Sequence, residues 1–138
     1  MSKKRIGIVT GSTISDKMAG PGIRAYEISR VLSMYYSIFL FTPNLSELYF
    51  EKQNFNVIQY SESEPEKFYE LLEKANIDVI MIQGYILYKF PLIKEMNFRI
   101  IVDLYDPFIF ENIEIHSDKS IDDRITIHNI DLSVLNEQ

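Results

Sequence analysis

Apolar residues come in two rhythms along this chain. Short, nearly continuous apolar runs read as buried strands. They alternate with stretches in which apolar residues recur every three or four positions, the spacing of a helix with one buried face. Arg5 to Thr10 is the first run, apolar at Ile6, Ile8 and Val9 and closed by Gly11. After the polar stretch Ser12 to Lys17 and Met18-Ala19-Gly20-Pro21-Gly22, the spacing turns helical, with Ala25, Ile28, Val31, Leu32 and Tyr35 on one face. Arg24, Glu27, Arg30 and Ser33 fall on the other face. Ser37 to Thr42 is a second strand, stopped by Pro43, and Asn44-Leu45-Ser46-Glu47 has capping-box spacing for a short helix to about Gln53. Asn56 to Tyr60 is a third strand. Ser63-Glu64-Pro65-Glu66 then reads as a second capping box, with Phe68, Leu71, Leu72 and Ala75 as the apolar face behind it. Asp78 to Gln83, closed by Gly84, is a fourth strand, Ile86 to Met96 a helical stretch interrupted by Pro91, and Phe98 to Leu104 a fifth strand. Asp106-Pro107 opens a helical turn through Glu114, Ser117 to Lys119 is a loop, and Ser120-Ile121-Asp122-Asp123 caps a last helix. That helix carries Ile121, Ile125, Leu132 and Leu135 on one side.

Apolar strands mostly separated by amphipathic helices call for a parallel sheet covered on both faces. With right-handed crossovers this is an α/β fold: three layers, α/β/α, around a Rossmann-like, doubly wound parallel sheet. The length of 138 residues suits a single domain over 1–138. The last helical pattern still runs at Asn136-Glu137-Gln138, so the chain reads as a piece of a longer protein, the alternative being a small complete five-stranded domain.

Composition narrows the chemistry. Hydrophobic residues make up 46% and charged residues 25%, which excludes a wholly disordered chain. There is no cysteine, so thiol nucleophiles and cysteine-held metals are out, and His116 and His128 alone make no histidine-rich metal centre. Both histidines read as surface residues. The net charge of −6 disfavours a general nucleic-acid binder. No apolar run approaches the roughly 20 residues of a membrane-spanning helix, and no signal peptide follows the basic start Lys3-Lys4-Arg5. A soluble cytoplasmic domain is expected.

Open parallel sheets bind ligands beyond the carboxyl ends of their strands, where strand order reverses. That rule gathers Gly11 to Gly22, Gln83-Gly84-Tyr85 and Asp103 to Glu111 onto one edge. Gly20 and Gly22 at a helix start allow close backbone approach and suit a phosphate or carboxylate. They stand too far beyond the first strand for a dinucleotide fingerprint, and the second strand ends without an acidic residue for a ribose. Arg24 is a cation in the first turn, where the helix dipole favours an anion, so either a bound anion or the i,i+3 partner Glu27 must compensate it. Asp103 and Asp106 are the candidate catalytic carboxylates. Asp103 needs a partner if buried, and Asp106 before Pro107 also has the signature of a helix cap. Tyr85, Tyr88 and Tyr105 are candidates for stacking on a sugar ring, and Glu111 and Glu114 for facing the same crevice. Two aspartates without a histidine make no metal site.

Several of these blocks together resemble a known family. They are Arg5 to Gly11, Met18-Ala19-Gly20-Pro21-Gly22-Ile23-Arg24, Gln83-Gly84-Tyr85 with Phe90-Pro91, and Val102-Asp103-Leu104-Tyr105-Asp106-Pro107 with Glu111-Asn112. In this order they look like the N-terminal, acceptor-side domain of a bacterial group-1 (family 4) glycosyltransferase of the surface-polysaccharide or lipopolysaccharide type. The resemblance implies half of a two-domain GT-B fold, retaining chemistry, a nucleotide-sugar donor and a glycan or lipid-linked acceptor. It also implies that the nucleotide-sugar domain is absent here, so that this piece alone is inactive. Gly20, Gly22, Arg24, Gln83, Tyr85, Tyr105 and Glu111 would line the substrate side and Asp103 and Asp106 the catalytic side, with no cofactor or metal held by this domain. Many relatives have histidine where this chain has Tyr105, so histidine-based assignments do not transfer. The expected partners include the inner face of the cell membrane, touched peripherally by the longer enzyme, and a second copy of the piece itself. The alternative is a non-catalytic sugar- or nucleotide-binding or scaffold domain that keeps the half-fold.

Overall fold

The computed structural model describes residues 2–46, 53–104, 112 and 114–137. Five strands form one sheet: β1 (Arg5–Val9), β2 (Ser37–Thr42), β3 (Asn56–Gln59), β4 (Val79–Gln83) and β5 (Arg99–Asp103). Their order is β3-β2-β1-β4-β5 and every pairing is parallel. Each strand lies within two residues of the span its apolar run predicts. Helix α1 (Gly20–Leu32) covers one face, and α2 (Pro65–Ala75), the single turn α3 (Ile86–Lys89) and a 3₁₀ helix (Pro91–Glu95) cover the other. The chain is thus a three-layer α/β/α domain with a doubly wound, Rossmann-like sheet.

Period-two alternation sorts the strand side chains between two cores. Ile8, Ile38 and Leu40 meet Ala25 of α1, whereas Val9, Phe39, Phe41, Ile80 and Ile82 meet Phe68, Leu72, Phe90 and Ile93. The second core is built on aromatic rings: Tyr60 stacks on Phe68 at 4.3 Å, and Phe68 meets Phe90 edge-on at 4.6 Å. Tyr60 donates its hydroxyl to the Thr10 carbonyl at 2.9 Å, which ties the end of β1 to this core, and burial pushes the phenol pKa up.

Helix α1 stops before its expected face is complete. Gly22, Ala25 and Ser29 are its buried residues, and the chain turns out after Leu32. Tyr35, expected inside, is therefore exposed, as is Val31 within the helix, while Ser33, expected outside, is buried with its hydroxyl donated to the Arg30 carbonyl at 2.7 Å. Gly22 is required by close approach: a Cβ there would stand 2.9 Å from the backbone oxygen of Thr13. The Ser63 capping box does not form. Glu64 is the N-cap of α2, and the Ser63 hydroxyl pairs with that of Ser61 at 2.9 Å. Pro91 splits the stretch after β4 as expected.

The last helix, α4 (Ile121–Glu137), begins with the expected cap: the Asp123 amide donates to the Ser120 hydroxyl at 3.2 Å, and that hydroxyl donates to the Asp123 carboxylate at 2.7 Å. Asp131 and Val134 are buried, whereas Ile121, Ile125, Leu132 and Leu135 face outward. The reason is polar: Asp131 accepts the Tyr85 hydroxyl at 2.7 Å and the Asn112 amide at 3.0 Å, and a carboxylate so held outweighs the aliphatic stripe in choosing the inner face. Lys94 and Glu137 pair at the far end. The helical turn expected from Asp106 starts outside the described residues, as does most of the short helix expected after Asn44.

Candidate functional site

Strand order reverses between β1 and β4, which places the ligand crevice beyond Val9 and Gln83. The fold brings three separated side chains to that edge. Arg24 comes from the second turn of α1, not the first as expected, because the helix already opens at Gly20; Gln83 ends β4, and Asp103 ends β5 opposite Gln83 in register. Arg24 grips Asp103 with two parallel bonds, Nε to Oδ2 at 2.8 Å and the terminal nitrogen to Oδ1 at 2.9 Å. Gln83 adds a third, Nε2 to Oδ2 at 3.2 Å. The fork-on-carboxylate geometry is the strongest form of ion pair available to an arginine.

Burial is uneven across the pair. The Asp103 side chain is 10% exposed and that of Arg24 is 47% exposed, so the carboxylate is set into the protein and the guanidinium caps it from the solvent side. The Arg24 hydrogen bonds hold the Asp103 carboxyl below the usual carboxylate range against the opposing effect of burial, and Gln83 adds to them. Asp103 is therefore a settled anion with both oxygens engaged, which fits a positioning role and not that of a proton acceptor. The compensation expected of Glu27 goes elsewhere: its carboxylate pairs with Arg30 at 2.7 Å, so Arg24 takes its partner 79 residues away instead of three.

Gln83 is 3% exposed, and among the described residues its buried Oε1 has no hydrogen-bond donor. The amide cannot simply rotate to find one, because turning it would set Oε1 against the Asp103 carboxylate. Gly84 follows in the left-handed region at φ +53°, where glycine is favoured, and redirects the chain so that Tyr85 runs toward α4. The Tyr85 ring is held at its hydroxyl by Asp131 and Asn112, with the Asn112 amide 2.8 Å from the phenol oxygen. Asp131 and Asn112 are the two residues of this neighbourhood that sequence reasoning missed as a pair. The signal was an aspartate at helical spacing from Ile127 and Val134, with Arg124 and His128 on the same face. His116 and His128 belong here too, contrary to the surface placement expected. Both line a cavity of about 10 Å³ beside Asp131, at the lower limit for one water, and among the described residues the buried His128 Nδ1 has no partner.

Gly20 and Gly22 open α1, whose N-terminus has no side-chain cap and no acid in its first turn. Gly22 serves packing against Thr13, whereas a side chain at Gly20 would meet open space. Tyr105, Asp106 and Glu111 lie outside the described residues. Among the described residues no group of three or more metal-ligating side chains gathers, and no helix is long and apolar enough to cross a membrane.

No family model and no curated protein matches the chain. Among solved structures it is similar to the C-terminal domain of the coenzyme A biosynthesis bifunctional protein CoaBC. The identity is 18%, over 61% of this chain and 46% of that one, with a TM-score of 0.41. The chain thus spans less than half the length of that structure, and a likeness of this strength says nothing about chemistry.

Proposed function

We propose that this chain is the acceptor-side half of a retaining, nucleotide-sugar-dependent glycosyltransferase of GT-B architecture that serves a surface-polysaccharide or lipid-linked acceptor. The observation that supports the reading is the convergence of Arg24, Gln83 and Asp103 at the sheet edge that open α/β folds use for ligands. Each lies in one of the sequence blocks on which the family resemblance rests. In the reaction a bond forms between the acceptor oxygen and the anomeric carbon while the bond from that carbon to the diphosphate breaks. The acceptor proton leaves with the diphosphate. This half contributes position: a fixed set of hydrogen-bonding groups that holds the acceptor hydroxyl in line, a source of rate through orientation. Groups on a second half must hold the leaving diphosphate, so the 138-residue chain alone turns over no nucleotide-sugar.

The test is transfer of label from a panel of nucleotide-sugars into glycan by the protein made from its complete reading frame, beside the 138-residue chain. Transfer by the complete protein, lowered by Arg24→Ala and absent from the short chain, is expected. Absence of transfer from every donor, or turnover by the short chain, refutes the reading.

A further inference from the structure

The sheet ends on β3 at one side and on β5 at the other, and β5 is the less protected. Edge strands of monomeric proteins are usually blunted by a proline, a lysine, a bulge or very short length, because their free backbone groups invite another strand. β5 has none of these. Its five residues, Arg99-Ile100-Ile101-Val102-Asp103, run in unbroken register along β4, and among the described residues nothing pairs with their other side. The Arg99 amide donates to the Asp78 carbonyl at 3.1 Å, so Arg99, Ile101 and Asp103 turn their backbone groups toward β4. By the alternation of a parallel ladder, the N–H and C=O groups of Ile100 and Val102 point out of the sheet edge. The side chains are equally open. Ile100 and Val102 pack into the aromatic core, which puts Ile101 on the α1 face, and there it is 47% exposed because α1 packs on β1 and β2. The other edge strand, β3, exposes only the amides Asn56 and Gln59.

We propose that the free edge of β5 is where a second copy of this chain docks, the two β5 strands running antiparallel about Ile101 so that the two sheets become one. In that register the strand is its own complement. Ile101 faces its counterpart in the second copy, Ile100 faces Val102, Arg99 faces Asp103, and Phe98 faces Leu104. The contact is its own mirror under a two-fold axis and closes on itself as a dimer. The outward groups of Ile100 and Val102 exchange hydrogen bonds across the axis, and Ile101 falls on a non-hydrogen-bonded pair, where side chains come closest. Charge selects this register. Arg99 is exposed and, among the described residues, has no ion-pair partner. Asp103 is already held in place by Arg24, and it takes three hydrogen bonds within its own chain, leaving one of its roughly four acceptor sites for an incoming guanidinium. A slip of two residues in either direction sets Arg99 or Asp103 against Ile101 instead. The inference goes beyond the proposed function and does not depend on it.

The experiment is sedimentation of the 138-residue chain from micromolar to millimolar concentration. A reversible monomer–dimer equilibrium is expected. Arg99→Glu turns both symmetry-related pairs into like-charge pairs and should raise the dissociation constant about tenfold. Ile101→Lys sets two ammonium groups face to face at the axis and should leave only monomer. Both positions are exposed, so melting temperatures close to that of the unsubstituted chain separate a lost contact from lost folding. Ile101→Cys reads the register. The chain has no cysteine of its own, and the Cα atoms of a non-hydrogen-bonded pair stand about 4.5 Å apart, within reach of a disulfide. Mild oxidation should therefore give a covalent dimer, whereas Val31→Cys, similarly exposed on α1, should give none. A chain that stays monomeric at millimolar concentration overturns the proposal. So does a dimer that Arg99→Glu and Ile101→Lys leave unchanged, which assigns the contact to another face such as the apolar stripe of α4. So does a protein made from the complete reading frame that is monomeric and fails to cross-link through Ile101→Cys, because another segment then occupies the edge.

Discussion

Removing the Arg24 side chain separates what this residue does for the fold from what it does for the site. The pair with Asp103 joins α1 to β5, and its worth lies between two limits. Fully exposed pairs contribute roughly 0.2–1 kcal/mol, whereas breaking a fully buried one costs about 3–5 kcal/mol. With Arg24 at 47% exposure, solvent screens the charge from one side, and with Asp103 at 10% the two hydrogen bonds stay largely dry. A coupling of about 1 kcal/mol follows, measured as the interaction term of a double-mutant cycle between Arg24→Ala and Asp103→Asn in urea unfolding. For a domain of this size that corresponds to about 4 °C in melting temperature.

The pH dependence of this coupling has a definite direction. The folded-state pKa of Asp103 is depressed below its unfolded value, so the carboxylate stabilises the fold fully above the unfolded value near 4. That contribution fades as pH falls through the folded value. The coupling should therefore be whole at neutral pH and vanish in strong acid. Arg24→Ala should raise the Asp103 titration midpoint, followed through its side-chain carbonyl carbon by NMR. An Asp103 that titrates at the ordinary carboxylate value in the unsubstituted protein, or one that Arg24→Ala fails to move, refutes the argument that the ion pair organises this edge.

Three further substitutions probe the supports of the site. Gly22→Ala forces a Cβ to 2.9 Å from the Thr13 oxygen, a backbone atom that cannot swing aside, and should cost about 1–3 kcal/mol in thermal unfolding. Asp131→Ala removes the carboxylate that accepts from the Tyr85 hydroxyl and the Asn112 amide beneath α4. A loss of about 2–4 kcal/mol is expected, with protease cleavage appearing first in residues 121–137, and Asp131→Asn should recover part of it. Ser120→Ala removes the α4 cap and should cost about 1 kcal/mol, seen as earlier amide exchange at Asp123 and Arg124.

The strands were legible because a sheet buried on both faces writes its sequence as unbroken apolar residues. Ile38-Phe39-Leu40-Phe41 is buried throughout, so periodicity, propensity and tertiary burial all agree there. Helix faces were legible only where the apolar stripe was also the stripe in contact. In α2 the two coincide at Phe68, Leu72 and Ala75. In α4 they do not. The stripe Ile121, Ile125, Leu132 and Leu135 follows helical spacing well, yet Tyr85, just before α3, offers a part-buried hydroxyl, and the face bearing Asp131 turns toward it. Periodicity counts apolar residues and has no means of weighing a carboxylate whose partners come from other elements.

The same limit governs the site. The topological rule placed Gln83 and Asp103 at one edge, with the Gly11 to Gly22 segment that leads into Arg24, because it needs only strand ends and their order, both of which the sequence supplied. Who pairs with whom was beyond it. Glu27 and Asp103 are equally good partners for Arg24 on charge, and helical spacing favours Glu27 as the nearer. The choice is made by Arg30 one turn further along, which occupies Glu27 at the solvent surface, and by the parallel register of β4 and β5, which sets Asp103 opposite Gln83. Once Asp103 is fixed there with little water around it, leaving it unpaired would cost more than leaving Glu27 to its exposed neighbour, and Arg24 turns inward. The neutralised arginine follows from that single preference. The edge holds an internal ion pair where the local sequence alone had suggested an anion cradle.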